Sequence, residues 1–167
     1  MSTENNHPND KFTGRELTLT RILNAPRELV FKVWTEEKHF AKWWGPKDFT
    51  APICELDVRV GGVIHILMKG DNGYENDLDG TFHEIVEPEK LVFTITGFKD
   101  ENGVPKIENY NTITFVEKDG KTEMTLHVIV KQIAPELEFA LAGMMEGWSQ
   151  SLDKLIELVY ELKLSKN

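Results

Sequence analysis

The chain has 167 residues, 40% hydrophobic and 28% charged, a composition that suits one globular domain of ordinary size. Its net charge of −9 argues against a phosphate backbone as partner, since nucleic-acid binding rests on clustered Lys and Arg; it argues equally against anionic membranes. The single cysteine, Cys54, allows no intrachain disulfide and fits a reducing cytoplasm. The N-terminus lacks the basic start and apolar stretch of a signal peptide, and no apolar run approaches the roughly 18 residues of a membrane span.

Residues 1–14 are polar, rich in Asn, Asp, Pro and Gly, and read as a disordered tail before a domain over 15–164. "ELTLTRIL" (16–23) alternates Leu17 and Leu19 against Thr18 and Thr20, a half-buried strand. Pro26 fits the first position of a helix, with Glu28 in its first turn near the positive dipole end. Leu29, Val30, Val33 and Trp34 then share one helical face. Thr35 is placed to cap a second short helix, which Gly45-Pro46 ends. Adjacent helical residues point about 100° apart, so of Trp43 and Trp44 one is expected to face inward and the other to lie partly exposed.

From about residue 51 the pattern changes to strands: 52–59 and 62–69 around Gly61-Gly62, 79–88 and 90–99 around Glu87-Pro88-Glu89, 110–118 and 121–131 around Asp119-Gly120. Residues 71–77 and 100–109 read as loops. The stretch 134–163 carries a stripe of Leu141, Met145, Trp148, Leu152, Leu155, Val159 and Leu162 at spacings of three and four. It reads as one helix of nearly thirty residues, about 43 Å long at 1.5 Å per residue. Strands joined by short turns imply an antiparallel sheet, and the long amphipathic helix must close over it in a two-layer α+β fold.

The segments "RILNAPRELVFKVWTEEKHFAKWWGP" (21–46), "DGTFHEIVEPEKLVFT" (79–94) and "EGWSQSLDKL" (146–155) resemble bacterial homologues of the activator of the heat shock protein 90 ATPase, within the START-like (SRPBCC, helix-grip) superfamily. The resemblance spans about residues 15–163. It implies a seven-stranded curved antiparallel sheet around the C-terminal helix, two short helices between the first two strands, and an apolar cavity between sheet and helix. Relatives of this fold include lipid carriers, hormone receptors, allergens, cyclases and chaperone co-factors, so the fold alone names no job. The eukaryotic activator adds an N-terminal domain that contributes to docking on the chaperone; this chain is read as having no counterpart of it.

The pocket candidates are Trp34, Trp43, His65, Phe93, Tyr110, Met144, Met145 and Trp148. The tryptophans either plug the core or line the cavity mouth, each able to bury about 150–250 Å². Gly143 and Gly147 lie four apart on one helix face, and each costs roughly 1 kcal/mol there relative to Ala, so they should admit a strand, a loop or a ligand. Met144 and Met145 suit a pocket of variable shape. His65 shares a strand face with Val63 and Leu67. If that face is inward, it is a polar group in an apolar cavity; otherwise it is a hydrogen-bonded structural histidine. Glu108, Asn109 and Tyr110 could supply polar contacts at the cavity mouth or form a solvated edge.

No H-E-x-x-H or Cys/His cluster marks a metal site, no cofactor motif is present, and neither Ser149, Ser151 nor Cys54 has the surroundings of a nucleophile. The expected function is therefore binding of a small apolar molecule by a cytoplasmic protein. Docking on a chaperone is the alternative, and a cyclase-type enzyme using His65 as base comes third.

Overall fold

The structure, a computed structural model, describes His7 and residues 9–165. Its elements run β1 (Lys11–Thr13), β2 (Glu16–Leu23), α1 (Arg27–Thr35), α2 (Glu37–Trp43), β3 (Phe49–Leu56), β4 (Val63–Gly70), β5 (Glu75–Val86), β6 (Lys90–Gly97), β7 (Ile107–Lys118), β8 (Lys121–Ile133), a 3-10 segment (Pro135–Gly143) and α3 (Met144–Ser165). The eight strands form one antiparallel sheet in the order β1-β2-β8-β7-β6-β5-β4-β3. This is the expected helix-grip arrangement, with the two short helices between β2 and β3.

The eighth strand comes from the segment expected to be a disordered tail. Lys11–Thr13 pairs with Glu16–Thr18. Beside it, Asp10 accepts hydrogen bonds from both terminal nitrogens of Arg21 at 2.9 and 3.1 Å, and both side chains are buried. Arg21 also reaches the Ser149 hydroxyl on α3 at 3.3 Å. A polar composition thus concealed a buried ion pair that fastens this segment. Residues 1–6 and 8 of the expected tail lie outside the described residues.

Pro26 is the N-cap of α1 rather than its first residue, and its carbonyl accepts from Leu29 and Val30. Glu36, not Thr35, caps α2; the Thr35 hydroxyl turns back to the Phe31 carbonyl at 3.1 Å. β5 begins at Glu75, so the loop expected over 71–77 shrinks to its first four residues. The Asp119-Gly120 turn has φ of 54° and 79°, the two positive values a primed turn requires.

The expected thirty-residue helix divides. Residues 135–143 wind as a 3-10 helix that buries no side chain, and α-helix proper begins only at Met144. Most helical stability comes from packing an apolar face, and this segment has no face packed in the core. α3 is 22 residues, about 33 Å, and buries Leu152, Leu155, Leu158 and Val159 against the sheet.

The concave face is built by strict alternation. Leu17, Leu19 and Leu23 on β2, Ile64 and Ile66 on β4, Phe93 and Ile95 on β6, Ile113 and Phe115 on β7, and Met124, Leu126 and Val128 on β8 all point inward and are buried. α1 and α2 plug one end of this trough. Trp34 and Trp43 are fully buried with ring centres 4.6 Å apart; the Trp43 indole N–H donates to the Val33 carbonyl at 2.8 Å, and that of Trp34 faces the Met124 sulfur at 3.3 Å.

Candidate ligand cavity

At the other end the same inward phase carries different residues. On β5 the position is Asn76, on β6 Gly97, and on β7 Asn109 and Asn111. Opposite them, α3 and the 3-10 segment present Gly147 and Gly143. Small and polar side chains on both layers leave a cavity of about 310 Å³ between sheet and helix. Its walls are mostly apolar: Trp44, Pro46, Met68, Leu78, Ile95, Phe98, Ile107, Met144 and Trp148. Polar groups come from Asn76, Asn109, Asn111 and Ser151, and no side chain among the lining residues titrates.

The helical glycines are the cavity's ceiling. A Cβ on Gly143 would meet nothing within 4 Å, and one on Gly147 only Pro46 Cγ at 3.7 Å. Both border the cavity, and no backbone crowds either of them. Gly97 behaves differently: a Cβ there would meet the end of the Leu78 side chain at 2.4 Å, so a larger residue would have to displace that leucine.

Trp44 is 6% exposed and Trp43 fully buried, contrary to the expectation that one of the pair would lie partly exposed. As the C-cap of α2 it has extended backbone, φ −65° and ψ 133°, which swings its side chain out of helical phase. It stacks on Phe40 at 4.9 Å and takes Trp148 edge-on at 5.3 Å and 88°. Gly45, with φ +100°, then turns the chain towards β3. Lys154 on α3 secures this corner by donating to the carbonyls of Pro46 and Phe49 at 3.2 and 3.3 Å. Burial pulls its pKa below the ordinary lysine value.

The pocket candidates separate into three groups. Met144 and Trp148 line the cavity. Trp34, Trp43 and Phe93 sit in the solid core, and Met145 packs beside it without lining the cavity. His65 and Tyr110 belong to the outer face of the sheet, which corrects their assignment to the pocket.

His65 shares its face with Val63, which is 63% exposed, because the inward phase of β4 falls on Ile64 and Ile66. The imidazole bonds Glu55 through Nδ1 at 3.2 Å and Asp77 through Nε2 at 2.8 Å. Asp77 and Glu55 together hold its pKa above the ordinary histidine value. Lys99 bridges Asp77, at 2.8 Å, and Asp79, and depresses the Asp77 carboxyl. Tyr110 stacks on His83 at 5.7 Å, with the Lys131 ammonium 5.9 Å from its ring centre. Cys54 has its pKa pushed up to about 12 by burial first, then by Glu37 and Glu55, so it carries no nucleophilic thiolate.

Sequence reasoning missed Trp44, Asn76 and Asn111 and left Asn109 undecided. A signal was present in β7. Ile107, Asn109, Asn111, Ile113 and Phe115 keep one period-two phase, so two asparagines interrupt an inward-facing row.

An open antiparallel sheet closed by a C-terminal helix over an apolar cavity defines a START-like helix-grip protein. The profile of the Activator of Hsp90 ATPase homolog 1-like family matches residues 24–160, and the chain belongs to that family. No protein of curated function matches the sequence significantly. Among solved structures, one from Arthrobacter aurescens superposes with a TM-score of 0.81 at 21% identity, over 92% of each chain. One from Chromobacterium violaceum gives 0.72 at 27% identity, over 88% of this chain and 98% of that one. An AHSA1 protein of Silicibacter pomeroyi gives 0.68 at 24% identity, over 90% and 99%. No helix of the described residues is long and apolar enough to cross a membrane.

Proposed function

We propose that this protein binds a small, largely apolar molecule in the cavity between the sheet and α3, as a cytoplasmic carrier or sensor rather than as a catalyst. The observation that carries the reading is the cavity itself: about 310 Å³, walled by Trp44, Met68, Leu78, Met144 and Trp148, with a few placed amides. Ligand sites have this make-up, a mostly apolar surface with a few polar groups that set orientation. Catalysis by general acid or base would need a titrating group in reach, and the lining holds none, with His65 turned to the outer face. Tryptophan fluorescence tests the proposal, because Trp44 and Trp148 border the cavity while Trp34 and Trp43 do not. Small apolar ligands should change the emission saturably, and native mass spectrometry should show one bound per chain. Absence of saturable change across a panel of such compounds, with a folded protein, would remove it.

The family's description favours a second reading, docking on a chaperone of the heat shock protein 90 class through the acidic surface that a net charge of −9 implies. It expects stimulated ATP turnover by the bacterial chaperone. Turnover unchanged at saturating protein would discard it.

A further inference from the structure

We propose that the Ser151 hydroxyl anchors an oxygen acceptor of the ligand, so that the cavity takes an apolar molecule bearing a carbonyl or carboxylate oxygen in preference to a hydrocarbon of the same shape. The inference rests on reading the cavity as a ligand site. Ser151 lines the cavity from α3 and is 4% exposed, yet its hydroxyl makes no hydrogen bond among the described residues. The unpartnered buried polar atoms that water cannot reach belong to Arg21, Arg27, His39, Trp44, Asn109 and Asn111, and Ser151 Oγ is not one of them. A hydroxyl that is neither bonded nor sealed faces open space, and the open space beside Ser151 is the cavity.

The other hydroxyls on helices show what Ser151 does not do. A helical serine or threonine commonly turns back to a carbonyl of the preceding turn. Thr35 does so on α1, reaching the Phe31 carbonyl at 3.1 Å, and Ser165 reaches that of Leu162 at 3.1 Å. Ser149, two residues before Ser151, is held by Arg21 at 3.3 Å. Ser151 has no such partner, so its proton is free for a group in the cavity. A buried hydroxyl left without a partner keeps its desolvation cost, which an acceptor on the ligand would relieve.

The amides in the lining point the same way. Asn109 has its oxygen sealed, whereas its nitrogen is neither bonded nor sealed. Asn76, 7% exposed, accepts the Phe98 backbone N–H at 3.0 Å through its oxygen, which leaves its nitrogen over. It stands where the cavity meets an outer cleft holding Lys99 and Lys106. Asn111 spends its nitrogen on the Phe93 carbonyl at 3.2 Å and its oxygen is sealed, so it offers the cavity neither end. No carboxylate lines the cavity. The reachable side-chain groups are thus weighted towards donors, which an oxygen acceptor answers and a hydrocarbon does not. A ketone, an ester and a carboxylate share that acceptor.

Three probes of closely similar shape test this: acetylnaphthalene, naphthoate and isopropenylnaphthalene, substituted at the same ring position and titrated calorimetrically against the full chain. Ser151→Ala should weaken the better-bound of the two acceptor probes about three- to tenfold, the loss of one hydrogen bond. The same variant should leave isopropenylnaphthalene within about twofold, showing an intact cavity. Asn109→Leu should act in the same selective direction, and it serves as the test if the serine variant does not fold. Acetylnaphthalene binding more tightly than naphthoate would support a neutral carbonyl ligand, and the reverse order a carboxylate; both support the anchor. Equal losses for acceptor and hydrocarbon probes, or no loss for either acceptor probe, would overturn the anchor and leave the cavity reading standing. Binding of none of the three would overturn both.

Discussion

The two ends of the helix–sheet interface use one architecture for opposite purposes. At the α1–α2 end, inward positions hold Trp34, Trp43, Phe82, Phe93 and Phe115, all nearly inaccessible; the first four rings interlock at 4.6 to 6.3 Å, and Phe115 meets Phe31 at 5.4 Å. At the 3-10 end the same strands offer Asn76, Gly97, Asn109 and Asn111, facing Gly143 and Gly147. The difference is one of side-chain volume at equivalent positions. Stability is concentrated where large rings fill the space, and binding capacity is concentrated where small residues leave it open.

The largest test is at the filled end. Trp34→Ala should cost about 3–5 kcal/mol in urea denaturation, because a fully buried ring is lost and the tight surroundings cannot collapse. A loss under about 1 kcal/mol would show that this end is not the stabilising one. Next comes the clasp between β2 and the segment before it. Asp10→Ala should cost about 3 kcal/mol by the same measurement, since Arg21 is left charged and buried without its carboxylate. Near-wild-type stability would mean that Arg21 finds water there.

At the open end the expectation reverses. Gly147→Leu should change stability by no more than about 1 kcal/mol, with helix propensity favouring the leucine, yet abolish probe binding because the side chain fills the cavity. Calorimetry with unfolding controls measures both, and retained binding would show that the cavity is not where the probe sits.

The smallest effect belongs to the outer face. His65 has its pKa raised by Asp77 and Glu55, with Asp79 adding and Lys99 sharing the same carboxylates. Its contribution to stability is fully present below the unfolded value of about 6.5 and fades as pH rises through the higher folded value. The melting temperature should therefore drift down slightly above pH about 6.5, and His65→Gln should flatten that drift. Binding of a neutral apolar ligand in the cavity should be flat over the same range, since no titratable side chain lines it. Binding that tracks the drift would couple the outer face to the cavity.

The hydrophobic period made most of this architecture legible. Leu17 and Leu19 marked β2, Asp119-Gly120 marked the last hairpin, and the stripe from Trp148 to Leu162 marked α3, each through spacing along the chain. The site was less legible because its residues are unremarkable alone. Asn109 and Asn111 gain meaning only from the inward phase of β7, and Trp44 only from leaving the helix at its cap. His65 and Tyr110 misled because a strand pattern does not say which of its two faces is covered, and Val63 and Leu67 beside His65 looked like an inward row.

The sequence by itself determined the antiparallel sheet and the order of helices and strands, because these follow from local periodicity and turn chemistry; the family came from the resemblance of its motifs, and what meets Gly143 and Gly147 stayed open. Only the tertiary structure decided that the 3-10 segment stays unburied, that Asp10 clasps Arg21, and that Trp44 joins Asn109 and Asn111 around one space. Those outcomes depend on which groups meet across the fold, and the energy of burying a polar atom depends on whether a partner stands opposite it.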